Sequence, residues 1–190
     1  MPTVPDTVRT KRLHFRRLRA QDAGVLFEYA NVPEVARYAD WPRALTIVGL
    51  EEHLASAASA SGSAEEFFWL VSLLGDEQPI GGASLRVRGH AAEFGYLVAR
   101  AHWRQGLGTE IAGALVTLAF SFPGVRRVSA TCDAGSAASA RVLEQCGLVR
   151  EALIRSAMVR PNISPEPRDT LLYAVTRDDW TSSGAGDVRD

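Results

Sequence analysis

Two glycines separated by one residue, Gly106 and Gly108, stand among charged and polar side chains in HWRQGLGTEI, His102 to Ile111, directly before an apolar-periodic segment. A strand ending near Val98, a short loop and a helix opening near Arg104 would leave backbone N–H groups around these glycines without intrahelical acceptors. A helix start of that kind binds anions. Two phosphate-binding patterns fail on their side chains. A nucleotide P-loop ends in Gly-Lys-Ser/Thr, whereas Gly108 is followed by Thr109 and Glu110; a dinucleotide fingerprint has a third glycine where Ile111 stands.

These residues need a scaffold, and 190 residues at 46% hydrophobic composition suffice for one well-buried domain, expected over residues 8–180 with 1–7 and 181–190 as disordered tails. A formal net charge of −1 gives no global pull toward nucleic acid or anionic lipid. The two cysteines, Cys132 and Cys146, form no CxxC pair and lie on segments with the pattern of a strand and a helix. That suits reduced thiols acting as small hydrophobes in a cytoplasmic protein. No apolar run long enough for a membrane span occurs, and MPTVPDTVRTKR lacks the apolar centre of a signal peptide. No His, Cys, Asp and Glu grouping has metal-ligand spacing.

RLHFRRLR alternates as a half-buried strand, and Val25, Leu26 and Tyr29 share a helical face that Asn31-Val32-Pro33 closes. Glu34 to Pro42 suits a short, partly helical connection. Leu45 to Ser61 has helical composition, and SASGSAEE a turn. Phe67 to Val98 divides at GDEQ and RGHA into a three-strand antiparallel meander. Leu107, Ile111, Leu115, Val116, Leu118 and Ala119 trace an amphipathic helix from about Arg104 to Phe120, stopped by Pro123-Gly124. RRVSATCD then predicts a strand, SAASARVLEQCG a helix, and LVREALIRSAM and DTLLYAVTR two final strands. The order predicts a mixed α/β sheet covered by helices, with no repeat or internal linker.

The sequence resembles the GNAT superfamily of N-acetyltransferases, in the branch that contains the ribosomal-protein-alanine N-acetyltransferases. The resemblance runs from about Thr10 to Trp180. It rests on TKRLHFRRLRAQDAGVLFEYANVPEVARYADWP, EFGYLVARAHWRQGLGTEI, SAASARVLEQCGLVREALIR and DTLLYAVTRDDW in that order. It implies the GNAT fold: a mostly antiparallel central sheet, splayed at a bulge beside the cofactor and flanked by helices.

By the same resemblance, the N–H groups of Arg104, Gln105, Gly106, Leu107, Gly108 and Thr109 hold the pyrophosphate of acetyl-CoA, with Trp103 where the wider family carries Gln or Arg. Leu97 and Val98 offer backbone groups to the pantetheine arm. Side chains at Gly106 and Gly108 would obstruct close approach and the loop's backbone angles. The implied reaction moves an acetyl group from the thioester to an amine and needs no metal. A lysine amine near 10.4 is almost wholly protonated at neutral pH, and an α-amine near 8 mostly so. A base therefore helps, and Glu93 is the candidate; its position equally suits a carboxylate paired with an arginine. Ser139, the serine of the branch's N-x-A-S motif, is the candidate donor to the departing thiolate, or simply a residue that caps the helix. Ser136 stands where that motif has Asn, a shorter group without an amide donor, which weakens a cofactor contact. His53 and His102 have suitable pKa ranges for a base but less suitable positions.

The acceptor is expected between the first helices, with Glu34, Tyr38, Asp40, Trp41, Glu51 and Glu52, and the Pro-rich loop RPNISPEPRD, Arg160 to Asp169. The expected partners are acetyl-CoA and an amine acceptor, either a protein N-terminus or a small molecule. An aminoglycoside-type antibiotic acetyltransferase and a non-catalytic acyl-CoA-binding module are the alternatives. A homodimer through the strands after Leu148 is compatible with the sequence.

Overall fold

The structure is a computed structural model describing residues 5–43, 46–49, 52 and 64–182. Its strands are β1 (Thr7–Arg9), β2 (Leu13–Arg17), β3 (Ala64–Leu73), β4 (Pro79–Arg88), β5 (Ala91–Val98), β6 (Arg127–Asp133), β7 (Val149–Arg160) and β8 (Ser164–Thr176). The helices are α1 (Ala23–Ala30), α2 (Pro33–Ala36), α3 (Leu107–Ser121), α4 (Ala137–Gln145) and α5 (Arg177–Ser182). One eight-stranded sheet has the order β1-β2-β3-β4-β5-β6-β8-β7. Every neighbouring pair is antiparallel except β5 and β6, which run parallel across the α3 crossover. The helix expected over Leu45–Ser61 lies largely outside the described residues, and so do Glu51 and His53.

Strand alternation decides which side chains meet the helices. On β5, Ala92, Phe94 and Val98 are buried in the main core with Tyr96 packed against it, while Leu97 on the other face joins Leu26 of α1 and Leu70 of β3. The helix α3 fills the main core with Leu107, Ile111, Leu115 and Val116, at most 2% exposed. Its apolar spacing of three and four residues is what makes that face continuous. The α5 helix closes the far end, where Trp180 stacks near Phe120 at 6.1 Å between ring centroids.

Several expectations change. The α3 helix begins at Leu107 and not near Arg104, because Arg104 (φ 59°) and Gly106 (φ 75°) both take left-handed backbone that a right-handed helix cannot include. Ordered structure reaches past the 8–180 span: Thr7 pairs with Arg16 in β1, and α5 runs to Ser182. The Arg160–Asp169 segment is a tight turn at 161–163 followed by strand, not a long loop. Pro165 and Pro167 are tolerated there because the β6 ladder ends at Asp133↔Thr170, so they lie beyond any pairing on that side. The strands do part, but without a bulge on β5: its register with β4 is unbroken, and the shift in that part of the sheet lies between Val71 and Ser72 of β3.

Candidate active site

The parallel β5/β6 pair is the origin of the site. Their ladder holds only at Ala91↔Arg127, Ala92↔Val128 and Glu93↔Ser129. Beyond Glu93, β5 stays with β4 as far as Val98, and β6 stays with β8 as far as Asp133. The two strands therefore separate, and the backbone edges that face the gap are available to an extended partner. Gly81 lets β4 follow β5 through this stretch. A Cβ on it would lie 2.2 Å from the Leu97 carbonyl oxygen, so the two backbones approach closer than any side chain allows.

The chain leaves β5 at Val98, makes a short 3-10 turn at Arg100–His102 and enters α3 from Gly106. The Trp103 indole donates to the Val98 carbonyl at 2.7 Å, which fixes the loop to the strand end and occupies one acceptor there. The first N–H in this stretch to find a backbone acceptor is that of Glu110, on the Gly106 carbonyl at 3.1 Å. Those from Arg104 through Thr109 donate to no acceptor among the described residues. Consecutive unpaired donors at a helix N-terminus, on left-handed backbone at Arg104 and Gly106, form an anion cradle.

The cradle is braced from behind. Glu110 accepts from Thr10 Oγ1 at 2.6 Å, from the Arg12 N–H at 2.8 Å and from Arg12 Nε at 2.6 Å, while Arg12 Nη1 donates to the Gln105 carbonyl at 2.9 Å. Burial alone would raise the Glu110 carboxyl, but these donors together hold it below the ordinary carboxylate value. Gly108 has a packing role the sequence reading did not assign to it. A Cβ there would stand 3.4 Å from the Tyr96 ring and 3.7 Å from Val142, at the point where α3, α4 and β5 meet.

The family described as "Acetyltransferase (GNAT) domain" matches residues 12–149. The chain belongs to the GNAT acetyltransferase family. It is 26% identical over 171 residues to an uncharacterized N-acetyltransferase, YoaA, of Bacillus subtilis strain 168, covering 88% of this chain and 95% of the relative. Among solved structures, it superposes with a TM-score of 0.75 and 18% identity on RimL, a ribosomal L7/L12 alpha-N-protein acetyltransferase in complex with coenzyme A, covering 93% of this chain and 98% of that one. A spermidine N-acetyltransferase from Vibrio cholerae, in complex with CoA and spermine, gives a TM-score of 0.74 at 16% identity, covering 89% of this chain and 98% of that one. The protein is thus an acyltransferase of the GNAT fold, and the open donor row beside the parted strands fits a CoA diphosphate and an extended pantetheine arm.

Around the gap, this GNAT domain separates the two candidate chemical residues. Glu93 is exposed at the last β5/β6 rung, in register with Arg86 and Ser129, and by strand parity it shares a face with Leu97, the face turned to α1. Arg86 is not its partner but Glu66's, at 2.7 Å. Ser139, half-buried on the first turn of α4, lies on the opposite face, where its hydroxyl opposes the rise in the Tyr96 phenol pKa. Ser136, 6% exposed, occupies the N-cap position, yet its hydroxyl donates to Ser139 Oγ at 2.9 Å and caps no N–H. Serine in place of the motif's asparagine thus ties Ser136 to Ser139. Burial, then the neighbouring Cys146 and Cys132, push the Tyr96 phenol well above its ordinary value, with Ser139 opposing, so it stays protonated. Tyr96 was missed in the sequence; its signal was the alternation that puts it with Ala92 and Phe94 on the helix side.

The expected acceptor residues are engaged in several ways. Glu34 pairs with Arg100 at 3.1 Å, and the Tyr38 hydroxyl donates to the Gly135 carbonyl at 3.0 Å. Asp40 and Glu52 are exposed, and His102, half-buried in the 3-10 turn, lies at the cradle and away from Glu93's strand. Asn162, in the β7–β8 turn, donates through Nδ2 to the carbonyls of Ala36 at 2.8 Å and Trp41 at 2.9 Å, and accepts from the Arg43 N–H at 2.8 Å. This pins the hairpin end over α2, and an open cleft of about 420 Å³ lies between Pro33, Glu34, Arg37, Arg43, Asn162 and Ile163. Asp133, 1% exposed at the end of β6, takes Arg168 Nε at 2.7 Å and Nη2 at 3.0 Å, and the Gly135 N–H at 2.8 Å. Its carboxyl is held below the ordinary value, by Arg168 above all. Among the described residues no group of His, Cys, Asp and Glu is placed to hold a metal ion, and no helix is long and apolar enough to cross a membrane.

Proposed function

We propose that the protein transfers the acetyl group of acetyl-CoA to a primary amine, a protein N-terminal α-amine or a small-molecule amine, by direct attack in a ternary complex. The observation that carries this is the meeting of the unpaired donors of Arg104, Gln105, Gly106, Leu107, Gly108 and Thr109 with the edge of β5 that is left open after Glu93. The donors suit the diphosphate. The open backbone at Leu97 and Val98 suits the pantetheine amides, with one acceptor of Val98 already taken by Trp103. Acetyl-CoA supplies the activated acyl carbon and a thiolate leaving group.

On this reading the chain's own residues divide the proton work across the gap. Glu93, exposed on the face turned to α1, accepts the proton of the incoming ammonium group directly or through a water. Ser139 donates a hydrogen bond toward the departing thiolate from the α4 side, with Ser136 orienting its hydroxyl. The buried, unpaired thiols of Cys132 and Cys146 suit a reducing, cytoplasmic setting. Residues 8–180 are taken as one domain, since a single sheet runs through them. Strand β7 forms the sheet edge and exposes Val149, Leu153, Ile154 and Val159, which supports a homodimer through that edge.

The acceptor class is tested by incubating the protein with acetyl-CoA and either N-terminal peptides, polyamines or aminoglycosides, and detecting the acetylated amine by mass spectrometry. Acetylation of one class names the acceptor. CoA binding with no acetylated product from any amine contradicts the enzyme reading.

A further inference from the structure

Arg160 ends β7, one residue before the turn that Asn162 locks to Ala36, Trp41 and Arg43. It is only 7% exposed. Its Nε has no hydrogen-bond partner, and no carboxylate forms an ion pair with it among the described residues. A guanidinium removed from water with an unpaired N–H is costly, so a protein that keeps one there gains something from it when an acceptor arrives. Asp133 is a carboxylate whose ionisation responds to Arg160, and both its oxygens are already committed to Arg168 and the Gly135 N–H. Arg168 also feels Asp169, so what sets Arg160 apart is its own unpaired, buried N–H and not a surplus of charge in the corner.

Other unpaired buried groups have the same polarity. Thr170, 2% exposed and opposite Asp133 on the last β6/β8 rung, has an unpartnered Oγ1, and Trp41, whose carbonyl is tied to Asn162, has an unpartnered buried Nε1. An arginine Nε–H and an indole N–H are obligate donors, and a threonine hydroxyl donates readily. By strand parity Asp133 and Thr170 share the face of Glu93. What these donors lack is an acceptor with several oxygens and a negative charge.

We propose that Arg160 binds a carboxylate carried by one of the two substrates, making this a carboxylate-reading acyltransferase site and not one shaped for a purely cationic acceptor. The carboxylate comes from the amine acceptor, as in a free amino acid, or from the acyl group of the donor, as in a succinyl thioester. This rests on the acyltransferase reading above.

The experiment uses the full chain. In the acceptor arm, thiol release from acetyl-CoA is compared between free amino acids and their primary amides; in the donor arm, succinyl-CoA is compared with acetyl-CoA on one neutral amine. In parallel, thermal unfolding of the CoA-saturated protein is followed with each amino acid and each amide. The carboxylate-bearing member of one pair is expected to have about a tenfold to hundredfold higher kcat/KM, the range of a hydrogen bond to a charged group. Arg160→Met should abolish that preference while keeping turnover of the neutral member, and should raise Tm without ligand because a buried unpaired donor is gone. The arm that shows the preference names the source. Turnover with no preference in either arm overturns the inference and leaves the acyltransferase reading standing. A Tm shift selective for the amino acid, without turnover of any amine, keeps the Arg160 site and overturns the acyltransferase reading. Neither preference nor selective shift, or a lowered Tm in Arg160→Met, assigns Arg160 a structural role instead.

Discussion

The Arg12 guanidinium donates to the Glu110 carboxylate at 2.6 Å across 98 positions of sequence. Through its other arm, on the Gln105 carbonyl, it braces the anion cradle from the β1–β2 hairpin. The pair joins a peripheral strand to the loop that carries the proposed cofactor contacts. Arg12→Ala should therefore weaken CoA binding by about tenfold, equivalent to about 1.4 kcal/mol, with little change in fold as read by circular dichroism. An unchanged CoA Kd in a calorimetric titration would show that the loop holds its shape without the brace.

The same carboxylate sets an acid dependence. The folded Glu110 carboxyl ionises below the ordinary glutamate value of about 4.3, so its contribution to stability is full above that value and is lost as pH falls through the lower folded value. The difference in urea midpoint between the protein and Glu110→Gln should be largest near neutrality and shrink on acidification below about pH 4. A difference that stays constant with pH would contradict this.

Gly106 has φ 75°, where a side chain costs about 1–2 kcal/mol. Gly106→Ala should lower stability by that amount and weaken CoA more than Arg12→Ala does, because the loop itself is displaced. Gly81→Ala should be worse for the fold. Its Cβ would collide with the Leu97 backbone and not with a movable side chain, and a loss of about 1–3 kcal/mol is expected by denaturant titration. Equal stability of Gly81→Ala and the parent protein would refute the close approach of β4 and β5.

Burial pushes both thiols up to about 11, and Cys146 Sγ also donates to the Thr109 carbonyl at 3.2 Å. Both should react with a disulfide reagent at pH 8 far more slowly in the folded protein than in urea. Rapid modification of either in the native state would show that the α3–α4 core opens readily.

The sequence made the meander Phe67–Val98 and the helix after Gly106 legible because apolar alternation and apolar spacing act locally. The exact opening of α3 was not legible, since left-handed backbone at Arg104 leaves no mark on a residue type that is usually right-handed. The Asp133–Arg168 pair joins residues 35 apart, and only the β6/β8 register brings them together. Arg160 was grouped with a loop because three prolines, Pro161, Pro165 and Pro167, follow it. Where the β6 ladder stops, and hence why the last two are harmless, is a property of the sheet and not of the segment. Glu93 and Ser139 were proposed from the sequence, but which face of β5 each serves follows only from strand parity and from where α4 packs.

The central claim is that Glu93 and Ser139 serve opposite sides of one acyl-transfer step at the parted strands. Thiol release from acetyl-CoA, measured with the protein, Glu93→Gln and Ser139→Ala on one responsive amine, tests it most directly. The account predicts turnover by the parent protein, a loss of about a hundredfold or more in kcat for Glu93→Gln that is partly recovered at high pH, and a smaller loss for Ser139→Ala, with CoA affinity retained in both. Undiminished kcat in both variants would contradict it.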